Sequence, residues 1–214
     1  MGESKQQEQS SIRQPVLRLA SASPRRRQLL ELIGVPHLVT PADIDETRQA
    51  HEIGIAYVAR LAREKAAAIR ALHRDLPVLA ADTTVDVGGE ILEKPQSEDD
   101  AIRMLGLLSG REHQVHTGIC AISSLPASAL VSSTAVRFRA ISRSEMRAYW
   151  ASGEPSGKAG AYAIQGLGAV FVEKVNGSYS GVMGLPLFET ANILKLHGVP
   201  VWHGVPRETA RGRE

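Results

Sequence analysis

The sequence contains one cysteine, Cys120, which excludes an intramolecular disulfide and any multi-cysteine metal site. Its setting, "TGICAI", reads as a buried strand position and permits a reducing compartment without requiring one. Aromatic residues make up only 4% of the chain, too few to interleave with basic side chains as a base-stacking surface. Neither sign of charge is in large excess. With 25 Lys and Arg against 23 Asp and Glu, a formal +2, no general nucleic-acid or membrane surface is expected, and any electropositive site has to be local. Long apolar runs are missing as well. Nothing approaches the length that crosses a bilayer, and "MGESKQQEQSSIRQ" lacks the apolar stretch of a signal peptide. Gln6 stands where a myristoylation signal wants Ser or Thr. Together these absences lead us to expect a cytoplasmic protein.

What is present is a 214-residue chain, 43% hydrophobic, enough for one substantial core divided around a cleft. We expect a folded domain over 15–205, between a disordered tail at 1–14 and a flexible one at 206–214. Between the tails the pattern alternates. "PVLRLA" is a short strand; Ser23 and Pro24 supply an N-cap and a first-turn proline for a helix that carries Leu29, Leu30 and Ile33 and stops at Gly34. The strand "HLVTPA" runs into the acidic loop "DIDET". Residues 51–73 then place Ile55, Val58, Leu61, Ala62, Ile69 and Leu72 at helical spacing. "PVLAADTTVDVGGEIL" begins as a doubly buried strand and turns back at Gly88-Gly89. A helix capped by Ser97, two strands within 113–140, the helix "SEMRAYWASG", a glycine-rich loop, the strand "AVFVEKV" and a helix over 185–197 complete an α/β fold with a mixed sheet.

Polar clusters fall at strand ends and in loops, where a cleft can gather them. The sharpest is "SASPRRRQ". A helix N-terminus is already partially positive, so Arg25, Arg26 and Arg27 in its first turn should cost roughly a few tenths of a kcal/mol each. A bound phosphate would offset that cost, because free N–H groups and bidentate arginines form an anion site. The competing reading is solvated arginines paired with Glu31 or the acidic loop. Asp82, where "VLAA" meets what reads as a turn, and Glu46, on a loop able to face it, are two carboxylates that can hold Mg²⁺ or Mn²⁺. Asp43 and Asp45 compete with Glu46 for that role. Lys65 in "LAREKAAAI" and Lys94 in "LEKP" read individually as surface charges. His113 and His116 suggest one strand face but have no third ligand for zinc. Tyr149 and Trp150 read as core or dimer contacts.

Taken together, "LASASPRRRQLLELIG", "AREKA", "AADT", "GEILEKP", "LSGREHQVHTG" and "GKAGAYAIQGLGAVFVEKVNGSYSGVMGLP" resemble, in order and spacing, the Maf family of nucleoside triphosphate pyrophosphatases. The resemblance runs from about Val16 to Val201. It implies an elongated, two-lobed α/β fold similar to the inosine triphosphate pyrophosphatases, with a central cleft and often a homodimer. It implies Asp82 as proton acceptor, Arg25, Arg26, Lys65 and Lys94 as phosphate-binding residues, and Glu46 sharing a divalent metal with Asp82. It also implies Arg25, Thr83 and Gln165 as positions of base choice. The wording around Lys158 and Gln165 is similar to the branch that cleaves dTTP and UTP rather than 7-methyl-GTP. A regulator of septum formation that senses nucleotides without turnover is the alternative.

Overall fold

The structure, a computed structural model, describes residues 14–202. The two expected tails, Gln14 apart, lie outside the described residues. The elements are β1 (Leu17–Leu19), α1 (Pro24–Leu32), β2 (His37–Val39), α2 (Gly54–Leu72), β3 (Val78–Val87), β4 (Glu90–Leu92), α3 (Glu98–Leu108), β5 (Glu112–Ile122), β6 (Ser128–Phe138), α4 (Arg143–Ala151), β7 (Val172–Asn176), α5 (Tyr179–Met183) and α6 (Leu187–Leu196). Seven strands form one mixed sheet in the order β2-β1-β3-β5-β6-β7, with β4 also on β3. The β1 pairings are parallel and the rest antiparallel.

β3 organises the molecule. β5 pairs with it along nearly its whole length, Val78 opposite Ile122 through Asp86 opposite Gln114. Its other edge is divided: β1 pairs only with Val78 and Leu79, and β4 only with Val85 to Val87. The intervening residues, Ala80 to Thr84, therefore have no strand partner on that edge. One face of the sheet is divided at the same place. Leu79 and Ala81 pack with α1 and α6 in one core, and Val85 and Val87 pack with α3 and α4 in another. These are the two lobes, and Asp82 and Thr83 lie at the waist between them. A gap where neighbouring strands part is a usual place for a ligand in an open α/β sheet.

The other face of the sheet is covered by α2, through Ala62, Ala66 and Ile69 against Val78, Ala80 and Cys120. The approach is close at Gly118, opposite Asp82, where a Cβ would overlap the carbonyl of Val58. Two turns along the same helix face from Val58 lies Lys65, so this backbone contact brings the lysine over Asp82.

Several local expectations need correcting. Ser23 occupies the N-cap position of α1 but makes no side-chain cap bond, whereas the Ser97 hydroxyl does accept from Asp100 N–H. Ile55 and Leu72 lie on the exposed side of α2, and Lys65 is on its buried face. Asp82 is mid-strand, not at a strand end, because the β-branched run Thr83-Thr84-Val85 extends β3. His113 and His116, three apart, necessarily point to opposite faces: His113 contacts the Tyr162 hydroxyl and His116 that of Ser133. The final strand begins at Val172, since Leu167–Phe171 is a 3₁₀ turn, and the short helix α5 precedes α6. Cys120 is buried as expected, and Tyr149 belongs to the α3/α4 core with Trp150 packed against it.

Candidate active site

The cleft at the waist has a volume of about 1000 Å³ and is lined by every residue to which the family resemblance gives a role in binding substrate or metal: Arg25, Arg26, Glu46, Lys65, Asp82, Thr83, Lys94 and Gln165. Lys65 is the hinge of its acidic side. Its ammonium donates to Asp82 Oδ1 at 2.6 Å and pairs with Glu46 Oε1 at 2.9 Å. Lys65 and Asp82 are both buried, so each depends on the other for charge compensation. Among the three acidic loop residues, Glu46 is the one turned to Lys65. Asp45 instead turns to Thr47, whose hydroxyl and then backbone N–H, donating to Oδ1 at 2.9 Å, hold its carboxyl below the usual range, and Asp43 is not part of the cleft wall. The Tyr57 hydroxyl, on α2, anchors the loop by donating to Glu46 O at 2.9 Å.

Two carboxylates converging on one ammonium enclose a space already suited to a cation. The described hydrogen bonds leave Asp82 Oδ2 and Glu46 Oε2 without a donor. Among the described residues no group of three or more His, Cys, Asp or Glu could hold a metal unaided. Two hard oxygen donors fit Mg²⁺ or Mn²⁺ in the manner such ions prefer, with a substrate's phosphates and water completing the shell.

The basic side answers the question raised by three arginines at a helix start. They separate. Arg27 turns outward to Glu31, Nε to Oε1 3.6 Å, an exposed pair worth little. Arg26 crosses the waist, donating to Gly184 O at 2.8 Å, Ser21 Oγ at 3.0 Å and Thr83 Oγ1 at 3.1 Å. Arg25 reaches Met183 O at 3.4 Å. Burial pushes the Arg26 guanidinium below its ordinary pKa; Asp82 pulls it up, Arg25 pushes it down and Glu46 pulls it up. Burial also lowers Arg25, against the pull of Glu154. Lys158, lowered by burial and then by Arg25, joins them in the wall. Cations held below their normal pKa are cations short of anionic partners, which a phosphate chain would supply.

Beneath Arg26 the hydroxyls form a chain of fixed direction. Thr117 Oγ1 donates to Gly181 O at 2.8 Å, which uses its only proton, so Thr83 donates to Thr117 at 2.9 Å while accepting from Arg26. Thr83 thus has its proton committed and acts chiefly by holding Arg26. Lys94 is exposed at the rim. Gln165 is exposed to the cleft, and its side chain makes no hydrogen bond with Thr83, Arg25 or any other described residue. Sequence reasoning missed Tyr57, Thr117 and Glu154, whose partners lie on other elements or loops, beyond the reach of helix or strand periodicity. Lys158 enters the sequence reading only through the wording that resembles the dTTP/UTP branch, not as a phosphate-binding residue.

The match to known proteins agrees with this geometry. The family model described as Maf-like protein matches residues 16–197. The chain is 52% identical to a dTTP/UTP pyrophosphatase of Methylobacillus flagellatus, covering 86% of this chain and 93% of the relative. It is also 52% identical to proteins of the same name from Bordetella parapertussis, covering 87% and 95%, and from Myxococcus xanthus, covering 88% and 95%. The Staphylococcus aureus Ham1 protein is a fainter structural likeness, with a TM-score of 0.44 at 17% identity over 57% of this chain and 71% of that one. With a family match spanning nearly all of the described residues and relatives about half identical over most of its length, the chain belongs to the Maf family.

Proposed function

We propose that this protein is a pyrophosphatase that hydrolyses dTTP and UTP between the α- and β-phosphates, releasing the nucleoside monophosphate and pyrophosphate and so clearing the nucleotide pool. The observation that carries the reading is the waist itself: a buried Lys65–Asp82 pair facing under-compensated Arg25 and Arg26 across one cleft. Relatives sharing about half of its residues carry the name dTTP/UTP pyrophosphatase.

Little covalent chemistry is asked of such a site; it must align a water for in-line attack and stabilise the charge that develops on the departing pyrophosphate. The triphosphate lies at the N-terminus of α1, where Arg25 and Arg26 meet it together with the free N–H groups of that turn. Lys65, Lys94 and Lys158 receive the remaining charge. Asp82 orients the water and accepts its proton. Asp82 and Glu46 would hold Mg²⁺ or Mn²⁺, which when bound neutralises phosphate charge. A nucleotide sensor would have no use for a water-activating carboxylate, and no observation favours that alternative.

Gln165 reads the base. Its amide offers an acceptor and two donors, matching the N3–H and a carbonyl of uracil or thymine, while cytosine presents the reversed pattern. A panel of pyrophosphate-release assays tests this: kcat/KM for dTTP and UTP should exceed that for CTP, ATP, GTP and 7-methyl-GTP by at least about tenfold. A purine or 7-methyl-GTP as best substrate would remove the pyrimidine assignment.

By the same family relation we propose a cytoplasmic homodimer; no helix among the described residues is long and apolar enough to cross a membrane. Light scattering on the purified chain checks the dimer, and a monomer mass would overturn it.

A further inference from the structure

Among the described residues the side chain proposed to read the base has no partner, and what aims it acts on its backbone. The segment 163–168 belongs to no strand and to no long helix. Three of its N–H groups nevertheless converge on two side chains from the end of α4. The Tyr149 hydroxyl accepts from Ala163 N–H at 3.1 Å and donates to Glu154 Oε1 at 2.7 Å. That same Oε1 accepts from Gly168 N–H at 2.9 Å, and Oε2 accepts from Leu167 N–H at 3.0 Å. The bonded positions bracket Gln165 on both sides.

Two glycines of the loop are there because the clamp sits so close. A Cβ at Gly166 would overlap the Glu154 carboxylate, and one at Gly168 would lie 2.6 Å from the Tyr149 hydroxyl. The clamp is itself rigid. Tyr149 is buried, its ring meeting Phe171 edge to face with centroids 5.1 Å apart. Desolvation pushes the Glu154 carboxyl up, but bonds from Tyr149, Gly168 and Leu167 outweigh it and hold the group ionised, with both oxygens engaged.

We infer that Glu154 and Tyr149 are positioning residues for pyrimidine discrimination: by fixing the backbone on either side of Gln165 they hold its amide in the one orientation that matches uracil or thymine. The inference rests on the pyrimidine reading above. An amide on a loose loop rotates or withdraws and accommodates cytosine, whereas a fixed one leaves the wrong base with unmatched buried polar groups.

The test is the ratio of kcat/KM for UTP over CTP. Glu154→Gln keeps one carbonyl oxygen but sets an NH₂ against a backbone N–H, which frees one end of the loop. The ratio should fall about tenfold. Removing the charge beside Arg25 and Lys158 alters triphosphate affinity for every nucleotide alike and cancels in the ratio. Tyr149→Phe leaves that charge in place, deletes the acceptor for Ala163, and should shift the ratio in the same direction; it also decides the question if Glu154→Gln does not fold. In a Gln165→Ala background, Glu154→Gln should lower the ratio no further, since both act through one side chain. A uniform loss for UTP and CTP, with the ratio unchanged, would overturn the inference and leave the pyrimidine reading intact. Parent protein with no preference for UTP and dTTP would instead remove that reading, and the inference with it.

Discussion

Asp82→Asn yields a folded protein whose pyrophosphate release from dTTP or UTP is roughly 10²- to 10⁴-fold slower than the parent's. The substitution is nearly isosteric, and the amide oxygen can still accept from Lys65, which keeps Glu46 as its ionic partner. Burial of the lysine is thus only partly uncompensated, and circular dichroism should show the native fold with a lowered melting temperature. Proton acceptance is lost, because an amide at neutral pH cannot take a proton from water. The loss should appear in kcat, with KM little changed, since Arg25, Arg26 and Lys94 still meet the phosphates. Turnover close to the parent's in a folded Asp82→Asn protein would sink the assignment.

Hydrolysis falls to background in excess chelator and returns when Mg²⁺ or Mn²⁺ is added back. The reason lies in the arrangement of charge. Arg25 and Arg26 are on one side of the waist, while the side that carries Asp82 and Glu46 offers only Lys65 against two carboxylates. A triphosphate brought against that side meets like charge, which a divalent cation held by the two free carboxylate oxygens would neutralise. Full turnover in the chelator would exclude the metal role and leave Lys65 as the sole cation between these carboxylates.

How much of this was legible in the sequence differs from residue to residue. The turn at Gly88-Gly89, the cap at Ser97 and the strand around Cys120 were readable because each depends on neighbours within a few positions. The "SPRRR" puzzle was readable as a puzzle: three like charges at a helix start conflict with local electrostatics, and two of them turn out to face the cleft. Lys65 was misread as surface when taken alone, although it stands four residues from both Leu61 and Ile69, on the stripe that packs against the sheet. Charge outweighed position in that reading. Asp82 reads as a strand end because it directly follows the apolar run "VLAA"; a carboxylate within a buried strand is costly unless paired, and its partner, Lys65, is on a different element.

Local periodicity and turn chemistry, acting over three or four residues, determined the helices and most of the strands, and the motifs taken together, through their family resemblance, pointed to a phosphate-binding cleft. Tertiary structure alone decided which of Asp43, Asp45 and Glu46 meets Lys65, that β1 and β4 leave Ala80 to Thr84 without a strand partner on one edge, and that Arg26, Thr83, Thr117 and Gly181 form one directed chain. It likewise decided that Glu154 and Tyr149 hold the loop of Gln165. The physical reason is the same in each case. Desolvation and hydrogen-bond saturation depend on which distant groups share a volume, and no local pattern of side chains encodes that.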